Sequence, residues 1–409
     1  MRYSEIVSPF VVFALAATGS LLVWLAMPAD LAAEVGVQAF ADTHKVIGAY
    51  MLAIVSFASG CALAYRSHDA QFGIVTFPHA AIKWAKVLLL IGYFFWGILL
   101  LFSLSQGGID VVVNALTGRG KFPSIPGVTT LVHASTAAAA LVAALWVIRS
   151  QKASVHLSLS HLAVAAILLC LMRAFVGSER VAVYFPVVAL ASCWALHTRR
   201  SVGLPAVLSA TALLLLVFAA FAGAEKFRSF AAKSEEHTVQ DDLLAFSAKR
   251  LFVYYGAAVN TGGGLLEFAA EEGESDPIFL HTCNPLRQII DAANGFESES
   301  LGRFLELSGL YNPEFNNAWG IAAPLSEGVV WGCAYWVLWG FVSTRLYRRA
   351  IRPDTDAFSL AMFGVVTAGL VDAARVNCLG AVHILLPLGL LWLGRRLASA
   401  GVQAPSRFF

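Results

Sequence analysis

The length of its apolar runs is what most restricts this chain. Stretches of about 17–22 mostly apolar residues recur along it, the length a helix needs to cross a hydrocarbon core about 30 Å thick. Only 13% of the residues are charged, against about 25% in an ordinary soluble domain. Strand-type alternation is absent, which excludes an outer-membrane barrel. The expected fold class is therefore all-α, a polytopic integral membrane protein. Run lengths predict about ten spans, at 9–27, 46–64, 85–105, 127–148, 160–176, 181–198, 203–222, 320–343, 357–374 and 379–394. The first run is long for the apolar part of a signal peptide and lacks a small-x-small exit, so it reads as a retained helix.

Charge orients the helices. With the N-terminus in the cytoplasm, one set of loops carries Arg66, Lys83, Lys86, Arg149, Lys152, Arg199, Arg200, Arg345, Arg348, Arg349, Arg352, Arg395 and Arg396. The opposite loops hold mainly Arg119, Lys121 and Arg180, beside the acidic Asp30, Glu34 and Asp42. Cytoplasmic loops are the ones enriched in Lys and Arg. Both termini are therefore expected inside.

One long polar segment, 224–319, interrupts the helices and falls outside under this orientation. It has 15 Asp/Glu against 7 Lys/Arg. Three regions follow: helices 1–7 over 1–223, the extracytoplasmic segment over 224–319, and helices 8–10 with a cytoplasmic tail over 320–409. Loops of this length are functional or disordered; helical spacing and aromatics predict a folded one. Asp241-Asp242 reads as a helix start. Arg250 and Tyr254 are i,i+4 neighbours on the helix that follows, which could lie flat on the membrane, apolar side down. Gly262-Gly263-Gly264 is expected to end it. A polar helix pair is expected near 285–294 and 299–307, and Asn312-Pro313 is a turn signal. Gly328 and Gly332 form a GxxxG pair, suited to close helix approach. The 106–127 stretch reads as a surface loop, with an interfacial or re-entrant piece as the alternative.

Charges near span ends are the chemical candidates, because a charge within a membrane is costly. Arg173, Arg180, Asp372 and Arg375 lie near the outer ends. Asp372 and Arg375 have the i,i+3 spacing of a simple ion pair. For Arg173 and Arg180 two readings stand: snorkelling to the interface, or an anion site using the guanidinium fork. Of the six cysteines only Cys283 is in the polar segment, and no disulfide framework or cysteine-rich metal site follows. Walker, Rossmann and HExxH patterns are missing.

Four places together resemble the bacterial oligosaccharide repeat-unit polymerases, the O-antigen polymerases of the Wzy type. They are Gly177-Ser178-Glu179-Arg180; Phe227-Arg228-Ser229; Arg250-Leu251 with Tyr254-Tyr255 and Asn260; and Asn312-Pro313-Glu314-Phe315-Asn316-Asn317, followed by a Gly-rich helix and the basic Arg345–Arg349 stretch. The chain departs from the family pattern at Ser326-Glu327. The resemblance implies a GT-C-like, metal-independent glycosyltransferase without a cofactor, in the bacterial inner membrane. It would join undecaprenyl-diphosphate-linked oligosaccharides at the outer face, with a chain-length regulator as a partner and no nucleic acid. Arg180, Arg250, Glu314 and His281 would be catalytic, with His237 and Glu267 as further candidates for the base. Arg173, Arg228, Tyr254, Tyr255, Asn260, Asn316 and Arg375 would bind substrate. An O-antigen ligase-like enzyme shares this chemistry with another acceptor. A lipid-linked glycan flippase is the alternative from another class.

Overall fold

In a computed structural model of the chain, residues 3–34, 37, 40–67, 78–116, 125, 127–149, 157–176, 181–197, 242–272, 279–294 and 317–403 are described. Among them the fold is all helical, with no strand. The longer helices are α1 (Pro9–Leu25), α2 (Thr43–Arg66), α3 (Pro78–Leu116), α4 (Ala134–Arg149), α5 (Leu157–Val176) and α6 (Val181–His197), followed by α7 (Leu243–Glu272), α8 (Asn284–Asn294), α9 (Val329–Ala350), α10 (Ala357–Asp372) and α11 (Val382–Gln403). Among the described residues, three stretches are long and apolar enough to cross a membrane: Thr43–Arg66, Pro78–Asn114 and Val128–Ile148. Leu15, Leu90, Leu101 and Val330 are among many large apolar side chains left exposed, a surface suited to lipid rather than water.

Helix starts follow local chemistry. The Asp42 carboxylate accepts from the His44 N–H at 2.7 Å to begin α2. Asp356 does the same for Ser359 at 2.9 Å to begin α10. Both are N-caps that satisfy an otherwise orphaned donor.

Close packing rests on small residues, as expected where lipid removes the hydrophobic drive between helices. Helices α2 and α9 run side by side and parallel. A Cβ on Gly60 would lie 2.0 Å from the Val337 carbonyl oxygen, and one on Gly340 2.2 Å from that of Phe57. Phe13 stacks on Phe57 at 4.2 Å and tilts against Trp336 at 4.8 Å. All three rings are fully buried.

Five expectations need correction. The span expected at 320–343 is broken: a turn and the short helix Ala323–Ser326 come first, and α9 starts only at Val329. Gly328, at φ +118°, makes the break, a conformation that only glycine adopts cheaply. Gly332 packs against the Pro324 carbonyl of that turn, where a Cβ would stand 2.6 Å away, so this GxxxG pair does not serve a second span there. The loop expected from residue 106 is helical to Leu116, beyond a kink at Gly107-Gly108. Gly262–Gly264 do not end α7, which continues to Glu272. Gly262 faces Trp319 and Gly263 faces Ala41 and Val46, with under 3 Å left for any Cβ; close approach, not termination, accounts for these glycines. Nor does α7 lie flat on a membrane. Its middle, Val253 and Ala257 to Leu265, is buried against α1, α2 and the 317–323 stretch.

The bundle has two unlike ends. At one, Arg345 donates to Ser67 Oγ at 3.1 Å, Arg348 to the Ser67 carbonyl at 3.1 Å, and Arg395 meets Asp356 at 3.0 Å. The other end carries α7, α8 and the turn between α10 and α11. The expected span 203–222, the hairpin 177–180 and the expected helix at 299–307 lie outside the described residues.

Candidate functional site

Two polar groups of different origin meet the turn at 373–381 that joins α10 to α11, and a third reaches the first turn of α11 just after it.

The first begins with the expected ion pair. Arg375 Nε lies 3.7 Å from Asp372 Oδ1. The guanidinium does more than close that pair. Its Nη1 donates to Tyr254 Oη at 2.5 Å, and its Cζ stands 4.7 Å from the Tyr254 ring centroid. A planar cation on an aromatic face is favourable, more so away from water. Burial pushes the neighbouring Tyr255 phenol up, and the Asp372 carboxylate adds to the shift. Cys378 donates its thiol to Asp372 Oδ2 at 2.7 Å; burial first, then the same carboxylate, holds that thiol well above its ordinary value. Asp372 therefore links the helix end to the turn that follows it.

The second group surrounds His281. Asn377 donates to the His281 carbonyl at 2.9 Å and accepts from Tyr335 Oη at 2.8 Å. The Gly380 carbonyl accepts from the Asn284 N–H at 3.0 Å, and a Cβ on Gly380 would come within 2.3 Å of the His281 oxygen. On the other side stands Glu327, only 3% exposed. Its carboxylate accepts from the N–H of Phe279 at 3.0 Å, the N–H of Thr282 at 2.8 Å, Thr282 Oγ1 at 2.7 Å and the N–H of His281. A buried charge is retained only where such bonds replace its hydration. Glu327 thereby fixes the turn that presents His281, including Phe279 at φ +73°. Trp331 Nε1 closes the group on Thr282 Oγ1 at 3.0 Å.

The third group is the most deeply buried. Arg173 is 1% exposed, so it does not snorkel; it lies inside the helix packing. Its Nη2 meets His133 Nδ1 at 3.0 Å, and its Nη1 donates to Ser135 Oγ and, at 3.4 Å, to Thr136 Oγ1. His133 Nε2 in turn lies 3.3 Å from Nδ1 of His383, just past the 373–381 turn. His133 sits where the short helix Val128–Val132 gives way to α4, and that break turns its ring toward α5 and α11.

The remaining expected residues scatter. Asn260 is fully buried, and its Oδ1 accepts from Trp24 Nε1 at 3.2 Å and the Ala41 N–H at 2.9 Å, bonds that tie α7 to α1 and the start of α2. Glu267 accepts from the Asp42 N–H. Arg250 stacks over Phe246 at 5.4 Å, and Tyr254 meets Arg375. Arg180, Arg228, Glu314, Asn316 and His237 lie outside the described residues. Among the described residues no cluster of three or more His, Cys, Asp or Glu side chains is arranged to hold a metal.

The sequence reading missed His133, His383, Asn377 and Tyr335, and noted Glu327 only as a departure from a pattern. One signal was available. A histidine inside an apolar run, near the outer end of an expected span, is itself a polar group in a costly place. Arginines held by hydroxyls and aromatic rings at one end of a bundle suit an anionic group carrying flat apolar faces. Set against protein-family models, curated proteins and solved structures, the chain matches none.

Proposed function

We propose that this chain is an oligosaccharide repeat-unit polymerase acting at the outer face of a bacterial inner membrane. In the proposed reaction a hydroxyl of the acceptor glycan attacks the anomeric carbon of a glycan on undecaprenyl diphosphate. The bond from that carbon to the diphosphate oxygen breaks, its electron pair leaves with the diphosphate, and the hydroxyl proton passes to a base. Fixed cations aimed at the developing anion lower such a barrier without reorganising. Arg375 and Arg173 take that role, with Arg180, Arg228 and Arg250 as the sequence places them. His281 and Glu314 are the candidates for the base.

The observation that supports this reading best is Arg375 against Tyr254. It joins the long polar segment to a turn between two apolar helices, and it pairs a cation with a flat ring, the two kinds of group that suit a sugar diphosphate. The net basic charge of the opposite end fits an orientation with this site outside.

The test is a gel of surface polysaccharide from a strain lacking the gene. Collapse of a ladder to a single repeat unit is expected. Loss of all attached glycan, with lipid-linked polymer accumulating, would assign the ligase reaction instead. An unchanged pattern would remove both readings.

A further inference from the structure

Arginine has no acceptor and keeps its proton in proteins. That fact sets the direction of every bond in the Arg173–His133–His383 chain. Since Arg173 Nη2 can only donate, His133 Nδ1 at 3.0 Å must accept. A neutral imidazole with Nδ1 as acceptor carries its proton on Nε2. His133 Nε2 faces His383 Nδ1 at 3.3 Å, so His383 Nδ1 accepts in turn. Each ring has one tautomer compatible with the geometry. Any other assignment sets two donors or two acceptors face to face.

The same chain explains how a 1%-exposed guanidinium keeps one orientation. Ser135 Oγ and Thr136 Oγ1 receive one of its nitrogens and His133 receives the other. Ser135 Oγ is also the donor to the Val132 carbonyl at 2.8 Å, which leaves its lone pairs for Arg173. The hydroxyls and His133 come from one helix pair, α4 and the turn before it. His383 comes from α11, next to the turn that holds Arg375.

We infer that His133 and His383 are positioning residues. They form a one-directional hydrogen-bond relay that fixes the Arg173 guanidinium and ties it to the first turn of α11. His383 acts through His133. Without an acceptor at His383 Nδ1, the proton on His133 Nε2 loses its partner, Arg173 alone still selects the tautomer, and the share of rings that carry the proton on Nδ1 and release Arg173 rises. The functional consequence rests on the reading of Arg173 as an anion contact; the tautomers do not.

The test uses the full chain in lipid bilayers with ¹⁵N-labelled histidine, the His133 signals being identified by their loss in H133Q. The expected spectrum of His133 has an unprotonated Nδ1 and a protonated Nε2. His383→Asn keeps an acceptor near the Nδ1 position and should preserve that spectrum; His383→Leu should abolish the single tautomer. A His133 protonated on Nδ1 in the native protein, or the same spectrum in His383→Leu as in the native protein, would overturn the relay. In cells, His383→Leu should shorten the polysaccharide as Arg173→Gln does, and His383→Asn should restore it. If the spectra behave as expected while Arg173→Gln makes full-length polymer, the relay stands and the anion role of Arg173 falls.

Discussion

The two ends of this bundle use arginine in opposite ways. At the basic end, Arg345 and Arg348 reach across to the last turn of α2 and bond Ser67 and the backbone carbonyls there. These are helix C-terminal contacts, where a cation meets the negative end of the dipole. Arg395 is 27% exposed and pairs with an N-cap aspartate. At the other end, Arg173 is buried at 1% exposure and held by hydroxyls and an imidazole, and Arg375, at 17%, is held by Asp372 and a tyrosine ring. A solvated arginine at a helix end contributes little and is replaceable. A desolvated one has cost free energy to place, and it persists where its charge is used.

The largest expected effect sharpens the comparison by removing the frame common to both ends. Gly60→Leu or Gly340→Leu sets a side chain against a backbone carbonyl on the partner helix. The loss should exceed the roughly 1–3 kcal/mol of ordinary overpacking, seen as disappearance of a monodisperse peak in detergent. Gly389→Leu, on a face of α11 with nothing within 4 Å, should leave that peak intact.

Next is the direct contrast between ends. Arg375→Ala should abolish long-chain glycan at normal membrane abundance, and Arg375→Lys should fail as well, since lysine lacks the planar fork that stacks on Tyr254. Arg345→Ala should retain the ladder. Equal behaviour of the two arginines on the same gel would break the distinction.

Glu327→Gln tests the clamp on the His281 turn. The amide offers one oxygen and places an NH2 among N–H donors. Each orphaned buried donor costs about 1–3 kcal/mol. A lower melting temperature and faster proteolysis at 279–283 are expected. The smallest effect belongs to Asp356→Asn, which keeps the cap on the Ser359 N–H, lets the Ser359 hydroxyl turn to accept from the new amide, and loses the pair with the part-exposed Arg395. A change below about 1 kcal/mol is expected, and salt should diminish it further.

What was legible in the chain was whatever depends on neighbours in sequence. The apolar runs gave helices at Pro9–Leu25, Leu157–Val176 and Val181–His197 close to their expected bounds, and the i,i+3 spacing of Asp372 and Arg375 gave their pairing. What depends on distant partners was not. Three glycines in a row look like a helix end until Trp319, Ala41 and Val46 are seen to press on them. Arg173 looked like an interfacial residue because its partners, Ser135 and His133, are some 40 positions away on another helix. His133 and His383 are 250 residues apart, and no local pattern joins them. Glu327 stood out only as an unexpected residue; its task became visible with the four donors around it.

The glycine-tight contact between α2 and α9 also has a meaning in time. Cys61 Sγ and the Gly340 carbonyl meet at 3.6 Å across 279 residues of chain. At a synthesis rate of roughly 5–20 residues per second, α2 is made about a quarter of a minute to a minute before the ribosome has made the helix it packs against. Through that interval Gly60 and Cys61 lack the α9 backbone they pack against, although α1 is already made. The last third of the chain is therefore needed to finish packing the first, and a ribosome stalled before residue 340 leaves an early helix without its partner.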